Sequence, residues 1–256
     1  MGSEAAPAST TRRTDLRLWL ERYRDSLRWN LPYWPMMVVN IGLWLRLPTQ
    51  RFFVPDDVPD TKVLADAWTD IRVELDAVLA NGLDGIPGFQ EVDPGQRRLT
   101  DDNTWRTFVL RYAGQDCEPN RVRCPRTASL LDQVGGLYTA MFSVLEPGAR
   151  IPLHAGAIKG LVRLHLPLLV PTRGDCWIEI GGERFTWIEG EPLIWDDTYL
   201  HRVHNDTGQV RVVLFVDLER PMPTERLTRF NRWVLGRMSA SKRIQVAIER
   251  AEQRST

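Results

Sequence analysis

A chain of 256 residues with 43% hydrophobic and 26% charged residues has enough material for one large packed domain with flanks. Lysine plus arginine and aspartate plus glutamate both number 33, which gives no bulk-charge ground for a nucleic-acid partner. The cysteines, Cys117, Cys124 and Cys176, are too few and odd in number for a secreted disulfide framework. A reduced, cytoplasmic setting is expected, although spacing leaves a Cys117–Cys124 pairing open.

Residues 1–14 are small and polar with no apolar run, so they read as a disordered arm rather than a signal peptide. Leu16, Trp19, Leu20, Tyr23 and Leu27 then share a helical face behind Thr14-Asp15. Pro32, Pro35 and Pro48 punctuate an irregular apolar stretch. Within it, Met36–Leu45 is broken by Asn40 and Gly42 and is about half the ~20 residues that a membrane span needs. Its neighbours Trp19, Tyr23, Trp29, Tyr33, Trp34 and Trp44 either pack this flank onto the core or make a peripheral membrane contact. A stronger helical stripe, Leu64, Trp68, Ile71, Leu75, Val78 and Leu79, runs between Pro59-Asp60 and Asn81-Gly82. Residues 15–90 are therefore read as a helical N-terminal flank.

From Trp105 the pattern changes to short strands: Trp105–Tyr112, Ala140–Leu145, Leu161–Val170, Cys176–Ile180, Glu183–Trp187, Pro192–Trp195 and Val210–Leu218. Pro147-Gly148, Gly181-Gly182 and Glu189-Gly190 supply turns, the second of them a tight hairpin. Such strands predict a mainly β sandwich or jelly roll over residues 91–221. A closing helix is expected at 224–251, within a C-terminal segment, 222–256. From Thr224 onward, eight basic residues face three acidic ones.

All four histidines, His154, His165, His201 and His204, fall within 51 residues of the β region. Imidazoles fixed on strands suit a redox metal with open coordination positions, or they are satisfied polar residues at strand ends. In Leu161–Leu169 the alternation sends Arg163 and His165 to one face and Leu164 and Leu166 to the other. An inward arginine is costly unless it meets an anion such as a dicarboxylate; an outward one is simply solvated.

In order along the chain stand Ser143-Val-Leu-Glu-Pro-Gly-Ala-Arg-Ile-Pro-Leu-His154, Val162-Arg-Leu-His-Leu166, Trp187-Ile-Glu-Gly190, Trp195-Asp-Asp-Thr-Tyr-Leu-His201, Arg211, and Val216-Asp217 through Pro221. This constellation resembles the aspartyl/asparaginyl β-hydroxylase family, which includes lipid A 2-hydroxylases, over about half the chain. The resemblance implies a double-stranded β-helix with helical flanks that uses Fe(II), 2-oxoglutarate as co-substrate and O2. It makes His154 and His201 the iron ligands. It places Ser143 and Arg211 on the distal carboxylate of 2-oxoglutarate, Arg163 and His165 near its iron-side carboxylate, and Asp197 as an acid organising the iron environment through water. His204 matches no functional position and is read as structural.

Most 2-oxoglutarate oxygenases carry a carboxylate two residues after the first histidine; this chain reads His154-Ala155-Gly156. Animal aspartyl/asparaginyl β-hydroxylases likewise have glycine there. In contrast, Trp105-Arg-Thr-Phe108, Cys124-Pro-Arg-Thr127 and the aromatic-rich helical ends look more like the lipid A branch. The expected substrate is an amino-acid or peptidyl Asp/Asn, an acyl chain or a specialised metabolite. The rivals are a non-catalytic cupin-like module holding a metal or small acid, and a membrane-surface protein working through its aromatic and basic flanks.

Overall fold

The computed structural model describes residues 34–58, 60–100 and 102–254. The expected arm at 1–14 and the helical face Leu16–Leu27 lie outside them, as do Trp19, Tyr23, Trp29 and Tyr33. The expected irregular stretch after Pro32 is instead a helix, α1 (Trp34–Arg46). Pro35 sits in its first turn, where a missing N–H deprives no carbonyl, and Pro48 lies beyond its end. The next helical stripe folds as a short turn, Lys62–Asp66, and then α2 (Trp68–Leu79), separated by Ala67 at φ −108°, ψ 19°. Three short helices that the sequence pattern did not mark follow, Phe89–Val92, Glu118–Arg123 and α3 (Pro125–Leu131), the last two with a proline at the first or second position. The closing helix is two: α4 (Glu225–Ser239) and α5 (Lys242–Gln253). Ser241 adopts extended backbone (φ −72°, ψ 145°) as the cap of α5, which breaks the single helix expected.

The strands are β1 (Phe52–Phe53), β2 (Trp105–Tyr112), β3 (Gln115–Asp116), β4 (Leu137–Leu145), β5 (Arg150–His154), β6 (Leu161–Leu169), β7 (Asp175–Ile180), β8 (Glu183–Phe185), β9 (Leu193–Trp195), β10 (His201–Asp206) and β11 (Arg211–Glu219). They form a seven-stranded sheet, β1-β9-β6-β11-β4-β2-β3, and a four-stranded sheet, β5-β10-β7-β8. From β4 to β11 the chain passes back and forth between the sheets, crossing at every step except the β7–β8 hairpin. With β9-β6-β11-β4 in one layer and β5-β10-β7-β8 in the other, this is the double-stranded β-helix. The hairpin turn needs left-handed backbone twice, which Gly181 (φ 58°) and Gly182 (φ 90°) supply.

The large sheet is buried on both faces. Met141, Val213 and Phe215 point between the sheets and meet Ile178, Ile180 and Val203. Phe142, Leu164, Leu166, Leu214 and Val216 point the other way, under Ile71, Leu75 and Val78 of α2 and Leu130 and Leu131 of α3. Two covered faces explain why β11 reads as a nearly unbroken apolar run rather than an alternating one. Each such side chain withdraws enough apolar surface to contribute about 1.5–3 kcal/mol. All three cysteines are buried free thiols, so the Cys117–Cys124 pairing does not form.

Candidate active site between the sheets

His154 closes β5, His201 opens β10, and the two are register partners. Their ring centroids stand 4.1 Å apart at 55°. His154 Nδ1 lies 2.7 Å from the Pro152 carbonyl oxygen, and His201 Nδ1 lies 2.8 Å from that of Tyr199. A neutral imidazole that donates its Nδ1 proton to a carbonyl keeps the Nε2 lone pair for a metal. Burial holds the rings neutral. It takes His154 well below the usual histidine range, helped by the proximity of His201, and His201 down to about 3, helped by Arg163. A register slip between His201 and Val203 turns Ile151 as well as His154 onto the pocket wall, a use to which bulges near active sites are often put.

Beside the histidines runs a charged chain. Asp197 Oδ1 is 3.3 Å from His201 Nε2 and also accepts from Arg163. Arg163 donates in turn to Asp217 at 2.9 Å and 3.2 Å, its register partner across β6–β11. Burial pushes both carboxyls up against the pull of this arginine. The guanidinium of Arg163 therefore already has two carboxylate partners, which makes it a holder of Asp197. Beneath Asp197 lies Gly156, whose N–H donates to the Asp197 carbonyl at 2.8 Å. A Cβ on Gly156 would fall 1.6 Å from Asp197 Oδ2, so the glycine is a steric requirement of this carboxylate.

The two loops carrying these groups are tied together from behind. Lys159 donates to the fully buried Asp196, which also accepts from Arg220 at 2.5 Å and from the Thr198 hydroxyl at 2.6 Å. Burial pushes the Asp196 carboxyl up, but Lys159 and Arg220 more than offset this and hold it below the usual range. Asn40 of α1, which breaks the apolar run, donates to the Ala157 carbonyl at 2.7 Å and accepts from the Lys159 N–H at 2.9 Å. Thus α1 braces the loop after His154.

At the far end of the pocket Arg211 is 1% exposed and has no carboxylate partner among the described residues. It donates only to the Ser143 carbonyl at 3.3 Å, its Nε is unpaired, and its guanidinium lies 4.6 Å from the Trp187 ring centroid. Burial lowers it to about 10. The Ser143 hydroxyl accepts from the Trp105 indole at 2.9 Å, which leaves its own proton to donate elsewhere. His165 is buried with neither ring nitrogen hydrogen-bonded, and burial, then Arg211 and Arg163, carries it well below the usual range. Unpaired buried polar groups are rare and need a partner. An anion seated among Arg211, Ser143 and His165 would be one.

The pocket has about 310 Å³ of empty space, open mouth included. Six of the seven residues singled out from sequence line it: His154, His201, Ser143, Arg163, His165 and Arg211. Asp197 is not among the lining residues but reaches the Nε2 edge of His201. His204 points away, stacked on Trp177 at 4.2 Å. Sequence reasoning passed over the role of Trp105, the Asp217 end of the Arg163 clamp and the Lys159–Asp196–Arg220 cluster. The signal for Asp217 was an acid inside an otherwise apolar strand; Lys159 gave none. Among the described residues no three His, Cys, Asp or Glu side chains are grouped to hold a metal, so the protein's evident donor set is the imidazole pair. Two imidazoles beside open positions fit a first-row divalent metal.

The sequence profile of the aspartyl/asparaginyl beta-hydroxylase family matches residues 65–221. An ornithine lipid ester-linked acyl 2-hydroxylase from Rhizobium tropici is 40% identical over 166 residues, covering 64% of this chain and 58% of that protein. Aspartate beta-hydroxylase domain-containing protein 2 from Xenopus tropicalis is 33% identical, over 68% of this chain and 48% of its own. Human aspartyl/asparaginyl beta-hydroxylase is 29% identical, over 77% of this chain and 26% of its own. The chain thus matches from about a quarter to just over half the length of these relatives. With the profile spanning more than half of the sequence, the chain belongs to the aspartyl/asparaginyl β-hydroxylase family.

Proposed function

We propose that this protein is an Fe(II)- and 2-oxoglutarate-dependent hydroxylase. The reading rests on one juxtaposition: two imidazoles, each with Nδ1 against a backbone carbonyl, share a pocket with Arg211, a buried cation lacking a carboxylate. His154 and His201 would hold the ferrous ion. Arg211 and the Ser143 hydroxyl would donate to the distal carboxylate of 2-oxoglutarate, and His165 would meet its metal-side end. Bound together, the metal, the co-substrate and oxygen supply the oxidising power to place one oxygen atom in a C–H bond, with succinate and carbon dioxide as by-products. The chain's own share is orientation and exclusion of water. The Arg163 clamp fixes Asp197 next to His201, where its carboxylate would accept a hydrogen bond from water in the pocket, and Trp105 would aim the Ser143 proton.

For the substrate we propose an acyl chain of a polar lipid. Support comes from the acyl 2-hydroxylase relative, which at 40% identity exceeds the 29% of the human aspartyl/asparaginyl enzyme. Mass spectrometry of lipid, Asp/Asn-peptide and free amino-acid panels, incubated with iron(II) and 2-oxoglutarate, should find one added oxygen on the lipid acyl chain together with succinate. Addition only to peptides would overturn the substrate. Binding of metal and 2-oxoglutarate with no turnover on any panel would leave a cupin-like binding module instead.

A further inference from the structure

Helix α4 packs onto the barrel by one side only. Asn231, Val234 and Leu235 are buried, and the Asn231 amide donates to the Gly160 carbonyl at 2.9 Å. The opposite side carries Arg226, Arg229, Phe230, Trp233 and Arg237, a stripe at helical spacing. Phe230 is 40% and Trp233 64% exposed, and their rings stack at 6.2 Å and 28°. A large aromatic pair is thus presented outward on a convex face rather than sunk in a groove. Arg232, nearby, is paired with Glu219 at 2.8 Å. Arg226, Arg229 and Arg237 form no ion pair among the described residues.

We propose that this face of α4 docks on an anionic lipid bilayer. Aromatic rings of this kind settle at the headgroup boundary, and arginines on the flanks reach up to lipid phosphates while their stems stay in the apolar layer. A protein partner with a shaped pocket would suit one ring better than two stacked and proud of the surface. The placement also serves the site. Gly160, where α4 is anchored, follows His154 by six residues, so the anchor lies within ~21 Å of the His154 end of β5 along the chain. The inference stands on this surface alone and does not depend on the oxygenase chemistry.

Co-sedimentation of the full chain with phosphatidylglycerol–phosphatidylcholine vesicles tests it, with pure phosphatidylcholine vesicles as reference. The chain should pellet with the anionic vesicles and be released by salt. Replacing Arg226, Arg229 and Arg237 together by Gln should weaken partitioning by about a hundredfold, from about fivefold per arginine. Phe230→Ser with Trp233→Ser should weaken it by on the order of tenfold or more. Hydrogen exchange should slow in residues 225–239 when vesicles are added, a readout that needs no variant. Variants that pellet like the parent, protection confined to other segments, or no preference for anionic vesicles would each overturn the proposal. So would binding to polyglutamate without binding to vesicles, which would assign the face to an acidic protein.

Discussion

The imidazole of His154 faces that of His201 across one register pair of the small sheet, 4.1 Å from centroid to centroid. Neither ring has to move far to share an ion, and on each the Nδ1 atom lies against a backbone carbonyl, an arrangement suited to offering Nε2 to a metal. Replacing either by Ala should abolish metal-dependent succinate formation. Isothermal titration with iron(II) or a redox-inert surrogate should show a loss of at least about a hundredfold in affinity, since disturbing even a ligand's supporting partner costs 10–100-fold. Circular dichroism should remain that of the parent. A His201→Ala protein that still binds metal like the parent would remove the ion from this site.

Arg211 makes two opposed demands. In the empty protein its buried charge lacks an acid, so Arg211→Met should leave the apo protein as stable or more stable. The same change should remove the charge-assisted partner of the co-substrate carboxylate, a loss of about 2–5 kcal/mol, or roughly 30-fold to several thousandfold in apparent affinity. Thermal melts with and without 2-oxoglutarate read both effects. A lowered apo Tm with an undiminished shift on adding co-substrate would contradict the assignment.

The Trp105–Ser143 hydrogen bond carries a milder expectation. Trp105→Phe keeps the ring but loses the indole donor, at about 0.5–1.5 kcal/mol. The KM for 2-oxoglutarate should rise by about two- to tenfold, with kcat for the primary substrate changed less. An unchanged KM would show that the Ser143 proton needs no help in finding its acceptor.

Strands such as β2, β6 and β11 were legible because apolar β-branched and aromatic residues cluster there between turn residues. The β10 strand was not. Its residues His201 to Asp206 include one apolar side chain, Val203, because the inward positions are given over to His201 and the buried Asn205. The pocket's members could be named, yet the partners of Arg163 could not, since Asp197 and Asp217 reach it from other elements. An arginine inside a barrel suggests an anion from outside; only the fold shows that two came with the chain. The break between α4 and α5 depends on the extended backbone of a single serine, which helical periodicity does not register.

Acid should destabilise the apo protein through its neutral histidines. His165 and His201 are buried with folded-state values below the unfolded 6.5, about 3 for His201, so below about pH 6.5 the unfolded chain takes up protons that the folded one refuses. Stability is therefore full above that point and lost as pH falls, at about 1.4 kcal/mol per pH unit for each ring. Asp197 and Asp217, pushed upward by burial, act in the opposite sense once carboxylates begin to protonate, so the histidine slope is cleanest between about pH 6.5 and 5. Urea unfolding in chelator at several pH values in this window gives the slope. In His165→Leu it should shrink by one ring's worth, and an unaltered slope would mean that His165 is already protonated or hydrated in the folded state.

Gly156 and Asp197 compete for one volume, which gives a test by exchange. Gly156→Asp puts a carboxylate where most 2-oxoglutarate oxygenases have one, but its Cβ would fall 1.6 Å from Asp197 Oδ2. The single variant should lose the Asp197–Arg163 pairing, lower the Tm and bind metal poorly rather than better. Asp197→Gly alone should empty the space and leave Arg163 with Asp217 only, reducing turnover while the histidines still bind metal. Combining Gly156→Asp with Asp197→Gly returns a carboxylate to the vacated space from the other loop. Metal affinity in the double variant should recover above both single variants, a coupling of opposite sign to two independent losses. If the two losses simply add, the clash at Gly156 is not what keeps this position a glycine.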